Sequence, residues 1–258
     1  MRLDKFLIES QVGLKKKARE LILSGKVSVN GIVEIKPSRD VDEFTDDIIC
    51  LEKSIHYSGK IYYMFNKPAG CITARTDKFE KTIFDYFQHI NTEGLFPVGR
   101  LDKETEGLII VTNDGEFNHR LMDPEAHVSK KYFFWAFGVL NEDKIHQIET
   151  GIDINQDGRL TRPAQIFVEN VGTYEEFKSK MIITKPESLR KKSNHMKVFS
   201  GCVVITEGRK HQVRRMLRGV GCNIIYLRRI AIGNLVIDES LNKGEFKKLT
   251  QEEIIKIF

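Results

Sequence analysis

Apolar residues recur at helical spacing from the start of the chain. Leu3, Phe6 and Leu7 share one side of a predicted helix, and Leu14, Ala18, Leu21 and Ile22 share one side of a second. Ser24-Gly25 ends the second helix, because glycine accepts the left-handed conformation that stops many helices. The period then changes to two. Val27-Ser28-Val29 alternates, Asn30-Gly31 makes a tight turn, and Ile32-Val33 returns as the other arm of a hairpin. Two short helices and a hairpin bury little surface, so residues 1–52 are expected to form a small module of marginal stability alone. Residues 53–60 are polar and aperiodic, contain Ser58-Gly59, and read as a linker.

From residue 61 the pattern is that of a β-rich body reaching residue 258. Strands are predicted at 61–65, 108–112, 132–140, 165–169, 202–206, 224–229 and 235–237. Helices are predicted at 83–87, 116–122, 142–149 and 211–220; in the last, Val213, Met216, Leu217 and Val220 share a face. Thr250, with Glu253 three residues on, opens a short final helix by a capping box. Strands and helices do not alternate strictly, so the fold class is α+β with a mainly antiparallel sheet. Residues 171–200 have no clear period, and Pro186 and Lys191-Lys192-Ser193-Asn194 read as a mobile basic loop.

Composition narrows the classes. Hydrophobic residues make up 41% and charged residues 30%, as in an ordinary soluble protein. No apolar run approaches the ~20 residues of a membrane span, and the N-terminus lacks a signal core, so a cytoplasmic protein is expected. Cys50, Cys71, Cys202 and Cys222 form no CxxC and have no histidine cluster beside them. Reduced thiols are expected and a metal site is not. No Gly-rich phosphate loop occurs, and no cofactor is expected.

The net charge of +5 is unevenly placed. Residues 1–30 hold seven Lys and Arg against three acidic residues, and residues 185–218 hold ten against Glu187 and Glu207. The remainder is acidic. Two basic islands in an acidic body point to a polyanionic partner, because release of condensed counterions drives such binding.

The most informative run is Phe96-Pro97-Val98-Gly99-Arg100-Leu101-Asp102-Lys103-Glu104-Thr105-Glu106-Gly107, continuing through an apolar strand to Asn113-Asp114-Gly115. It sets one carboxylate, Asp102, in a loop leading into a strand. Alternate residues of extended chain share a face, so Arg100 and Asp102 are expected to point the same way.

This run resembles the active-site signature of the RNA pseudouridine synthases, in which the aspartate of GRLD is catalytic. Other segments, in order, resemble the branch of that family that acts on small-subunit ribosomal RNA. They are Lys67-Pro68-Ala69-Gly70, Lys131-Tyr132, Glu207-Gly208-Arg209-Lys210-His211-Gln212-Val213-Arg214-Arg215-Met216, and Leu227-Arg228-Arg229-Ile230-Ala231-Ile232-Gly233. The opening RLDKFL, followed by KKKARELILSGKVSVNG, resembles the S4 RNA-binding module.

The resemblance implies a uridine-to-pseudouridine isomerase with Asp102, Tyr132 and Arg209 as catalytic residues. Asp102 would act at the ribose, either attacking C1′ or taking a proton from C2′. Arg209 would keep Asp102 charged, since a buried carboxylate needs a cation partner. Tyr132 would lie against the base. Arg100 would fill the gap left in the RNA by the extruded nucleotide. RNA contacts are expected from Lys15, Lys16, Lys17, Arg19 and Lys26 of the module, and from Lys67, Arg214, Arg215, Arg218 and Arg229 of the body. His211 is expected to cap or pack at a helix start.

The implied partner is ribosomal RNA, most closely 16S RNA, free or in a small-subunit assembly intermediate, bound by a monomer. No DNA or membrane partner is expected. Three alternatives stand beside this reading: a 23S synthase of the same family, an assembly factor without catalysis, and a glycosidase. The last would use Asp102 with Glu104 or Glu106, its carboxylates ~5–9.5 Å apart.

Overall fold

The computed structural model describes residues 1–181 and 196–258. The basic loop predicted around Pro186 and Lys191-Lys192-Ser193-Asn194 lies outside them.

The N-terminal module opens with α1 (Leu3–Glu9) and α2 (Lys15–Leu23), followed by β1 (Val27–Val29) and β2 (Ile32–Val33). Asn30 and Gly31 both take positive φ, the geometry a two-residue hairpin turn requires. Two further short strands follow, β3 (Ile48–Cys50) and β4 (Lys53–Ser54), and complete a sheet of order β2-β1-β3-β4. Leu3, Phe6, Leu7, Ala18 and Ile22 of the two predicted helices pack on Val27, Val29 and Ile48. The predicted linker at 53–60 is largely part of the module. β4 pairs with β3, and Ile55 and Tyr57 pack on the module's core. Their apolar side chains were hidden in a polar stretch too short to show a period.

The body is built on a nine-stranded sheet. Its first half holds β5 (Tyr62–Lys67), β6 (Phe96–Val98) and β7 (Glu106–Thr112), followed by α3 (Gly115–Met122). Next come β8 (Lys130–Phe137), α4 (Glu142–Thr150), β9 (Gln165–Thr173) and α5 (Tyr174–Phe177). The chain ends with β10 (Lys197–Ile205), α6 (Gln212–Gly219), β11 (Asn223–Ile232), β12 (Leu235–Val236), β13 (Phe246–Lys248) and α7 (Gln251–Ile255). The sheet runs β13-β5-β7-β11-β8-β10-β9, with β6 paired to β7 and β12 to β11. Among the described strands, only β7 and β11 pair in parallel. The α+β, mainly antiparallel fold expected from the sequence is present.

β7 is buried along its whole length. Leu108 and Ile110 enter one core with Met64, Val98 and Phe117, while Ile109 and Val111 enter another with Phe65, Ile83 and Leu101. A strand covered on both faces reads as a continuous apolar run, which is why its period was not two. Gly107 lets β7 approach β11: its φ is +101°, and a Cβ there would lie 2.2 Å from the Arg229 carbonyl oxygen. This contact joins the two halves of the sheet next to the Asp102 loop.

The module docks on the body through polar contacts. Lys5 pairs with Glu116 at 2.8 Å, Lys17 with Glu93 at 3.2 Å, and Gln11 Nε2 donates to the Asn91 carbonyl at 2.7 Å. Asn113 Nδ2 donates to the carbonyls of Glu9 (3.0 Å) and Gly59 (2.9 Å), and its Oδ1 accepts from Ile61 N–H at 2.8 Å. No described helix is long and apolar enough to cross a membrane.

Candidate active site

The loop between β6 and β7 carries Arg100, Leu101 and Asp102, and is held by two buried side chains from elsewhere. Thr73 Oγ1 donates to the Leu101 carbonyl (2.8 Å) and accepts from its N–H (3.1 Å). The Lys67 ammonium donates to the carbonyls of Pro68 (3.0 Å), Asp102 (3.1 Å), Lys103 (3.3 Å) and Thr105 (2.9 Å). Lys67 is fully buried, and burial pulls its ammonium below the ordinary lysine range. It clamps the loop and cannot reach RNA, so the expected RNA contact at Lys67 is corrected.

The clamped loop forms one side of a cavity of about 580 Å³. Tyr132 of β8 and Arg229 of β11 line it, with Lys130, Leu227 and Ile205. Arg100, His211 and Arg214 line it as well. Arg100 is exposed and Asp102 half-buried. Both border the cavity as expected, although the segment is a loop and not extended strand.

The Asp102 carboxylate accepts no hydrogen bond among the described residues. Arg214 Nε lies 3.9 Å from its Oδ2, and His211 Nε2 lies 3.5 Å from its Oδ1. Arg209 was expected in that position. Its guanidinium binds Glu207 instead (Nε to Oε2, 3.1 Å) and donates to the carbonyls of Arg159 (3.1 Å) and Leu160 (2.6 Å). The cause is local. His211 takes a left-handed conformation (φ 55°, ψ 29°) and turns the chain into α6. His211 and Arg214, three residues apart across the first turn, then share a side, while Arg209 stays on the loop before the turn. His211 makes no side-chain cap, so the expected capping role is also corrected. Burial lowers the Arg214 guanidinium from its ordinary value, and the charges of Asp102 and Glu104 act against that.

Among the other predicted contacts, Lys15, Lys16, Lys26 and Arg218 are exposed. Lys17 faces Glu93 of the body, and Arg19 faces Asp4 at 3.6 Å. Arg215 donates to Asn155 Oδ1 at 2.6 Å. Arg214 faces Asp102, so its expected phosphate contact is corrected. Arg229 is 5% exposed and can meet only a nucleotide that enters the cavity. The second carboxylate proposed for a glycosidase does not line the cavity beside Asp102: Glu106 is buried on Lys243 (2.8 Å) and Tyr226 (2.8 Å), and Glu104 is exposed.

Comparison with known proteins identifies the family. The profile of the RNA pseudouridylate synthase family matches residues 61–218, and that of the S4 domain matches residues 1–48. An uncharacterised RNA pseudouridine synthase of Bacillus subtilis is 34% identical over 98% of this chain and 97% of its own. Ribosomal small subunit pseudouridine synthase A of Vibrio cholerae is 32% identical over the full length of both chains. A crystal structure of a pseudouridylate synthase superposes with a TM-score of 0.64 at 29% identity, covering all of both chains.

Proposed function

The chain belongs to the RNA pseudouridylate synthase family, and on that footing we propose that it isomerises a uridine of small-subunit ribosomal RNA to pseudouridine. The observation that carries the assignment of Asp102 is its carboxylate, free of hydrogen bonds at the edge of a nucleotide-sized cavity and flanked by Arg214 and His211. The full-length similarity to small-subunit synthases supports the choice of RNA.

The reaction breaks the C1′–N1 bond, turns the base, and joins C5 to C1′. A base stacked in RNA is out of reach, so the nucleotide is extruded, at a cost of roughly a few kcal/mol. Its ribose meets Asp102, which acts on C1′ or on the C2′ proton. Arg214, 3.9 Å away, sets a permanent positive charge beside the carboxylate, since guanidinium does not lose its proton. Tyr132 lies against the base, where its ring can stack and its hydroxyl can move a proton. Arg100, exposed on the lip, occupies the vacated place in the RNA. Nothing is consumed, so the chemistry requires no redox partner.

The S4 module holds structured RNA through Lys15, Lys16 and Lys26, with Arg218 adding a phosphate contact beside the cavity. The protein works as a cytoplasmic monomer on ribosomal RNA or an assembling small subunit. The test is incubation with unmodified small-subunit RNA, followed by chemical mapping of pseudouridine. A single new pseudouridine is expected with the wild-type protein and none with Asp102→Asn. An Asp102→Asn protein that still forms it would end the proposal.

A further inference from the structure

Two buried cations that line the cavity have no counter-charge among the described residues. Lys130 is 6% exposed and Arg229 is 5% exposed, and both line the cavity that holds Tyr132. The influences on Lys130 are burial and the positive charge of Arg229, and they push its ammonium down to about 8; no carboxylate acts on it. Arg229 donates through Nε to the Leu108 carbonyl at 2.7 Å, but its buried Nη2 has no partner. The Thr105 hydroxyl, also buried at the cavity, has none either. Of the other cations at the cavity, Arg209 has Glu207, Lys103 has Glu80 and Arg214 has Asp102, while Arg100 and Lys210 are exposed to solvent. Burying two unpaired charges side by side is unfavourable for the empty protein, so the arrangement suits a ligand that becomes negative there.

We propose that Lys130 and Arg229 stabilise the uracil anion as it leaves C1′. The inference rests on the reading above. When C1′–N1 breaks, its electron pair departs with the base, and the charge spreads over N1, O2 and O4. Asp102 meets the positive charge at C1′. The pair then returns from C5 to C1′, C5 gives up its proton, and N1 takes one, so the isomerisation balances. Cations placed where charge develops favour the transition state more than the bound uridine. A phosphate is the weaker candidate for these residues. Both are buried and line the cavity together with Leu227 and Ile205, where an extruded base can reach them, whereas the RNA backbone meets exposed cations such as Arg100 and Lys210.

The experiment uses full-length protein under single-turnover conditions. The small-subunit RNA transcripts carry either uridine or 5-fluorouridine, and consumption of the target nucleoside is followed after nuclease digestion. Fluorine at C5 withdraws electrons and makes the base a better leaving group. Lys130→Met is expected to slow uridine conversion ~10²-fold with unchanged RNA affinity. On fluorouridine the same variant should show a markedly smaller defect. Lys130→Arg, which keeps the charge, should recover most of the rate, and Arg229→Gln should repeat the substrate dependence. Equal slowing on both RNAs, or weaker RNA binding with an unchanged single-turnover rate, would overturn the proposal. Wild-type conversion of the uridine transcript checks the underlying function separately.

Discussion

Asp102 and Asp114 stand at opposite ends of β7, twelve chain positions apart in one motif, and their surroundings are opposite. Asp114 is saturated. It accepts from Tyr62 Oη at 2.6 Å, lies 2.9 Å from Lys60 Nζ, and takes the N–H groups of Glu116 (3.0 Å) and Phe117 (3.1 Å) at the start of α3. Burial works to raise its carboxyl, but Tyr62, Lys60 and the Phe117 N–H outweigh it and hold the group below the ordinary carboxylate range. Asp102 has one cation at arm's length, a histidine beside it, and a cavity in front. A carboxylate whose lone pairs are filled organises structure. One whose lone pairs are free, with its charge maintained from a distance, can act on another molecule.

The contrast can be broken by exchanging which property each aspartate controls. Asp102→Asn should lower pseudouridine formation at least ~10³-fold while changing stability by less than about 0.5 kcal/mol. Rate assays beside thermal melts read both quantities, and a large loss of stability would class Asp102 with Asp114. Arg214→Gln should cost ~10²-fold in rate, and Arg209→Gln far less. The reverse ranking would return the counter-ion role to Arg209.

Asp114→Asn should do the opposite of Asp102→Asn. It should destabilise the protein by about 1–3 kcal/mol and leave the turnover of folded molecules unchanged. Its folded pKa is depressed, so the wild-type contribution is complete above the unfolded value near 3.8 and is lost as the pH falls through the folded value. Wild type and Asp114→Asn should therefore converge in stability in strong acid, as denaturant titrations at several pH values would show. Tyr62→Phe, which removes one of the bonds to Asp114, should cost about 1 kcal/mol without a change in rate.

The smallest effect extends the contrast to lysines. Lys15→Ala should reduce the slope of log affinity against log salt by about 0.7–0.9. Lys17→Ala should reduce it less, because Glu93 already faces that ammonium. Equal slopes in the two variants would place Lys17 fully in the RNA interface.

Much of the scaffold was legible because local periodicity carried it. The paired helices, the Asn30-Gly31 hairpin, the strand after Asp102 and the Val213–Met216–Leu217 face of α6 all stand where residue spacing put them. Elements without a period were missed. β6 and β13 have three residues each and β4 only two, and no Asn-Gly turn marks them as it marks the equally short β1 and β2. The site was legible in its chemistry but not in its pairing. Asp102, Tyr132 and a late arginine-rich segment do meet at one cavity. Which arginine of that segment reaches the carboxylate depends on a single left-handed residue, His211, and a histidine there does not announce its conformation. Lys67 was expected at the RNA, since lysines are usually exposed, and nothing in the local pattern marked Lys130.

Amino-acid order alone set the elements, the two-part organisation and the class of reaction, because helix and strand periods and a contiguous motif are properties of neighbouring residues. Folding chose Arg214 over Arg209, made Lys67 a clamp, left Asp102 open while filling Asp114, and buried Lys130 and Arg229 at the cavity that Tyr132 lines. Each of those outcomes depends on which carbonyl, carboxylate or void a side chain meets across the sheet, and such distances exist only once β7, β8 and β11 lie side by side.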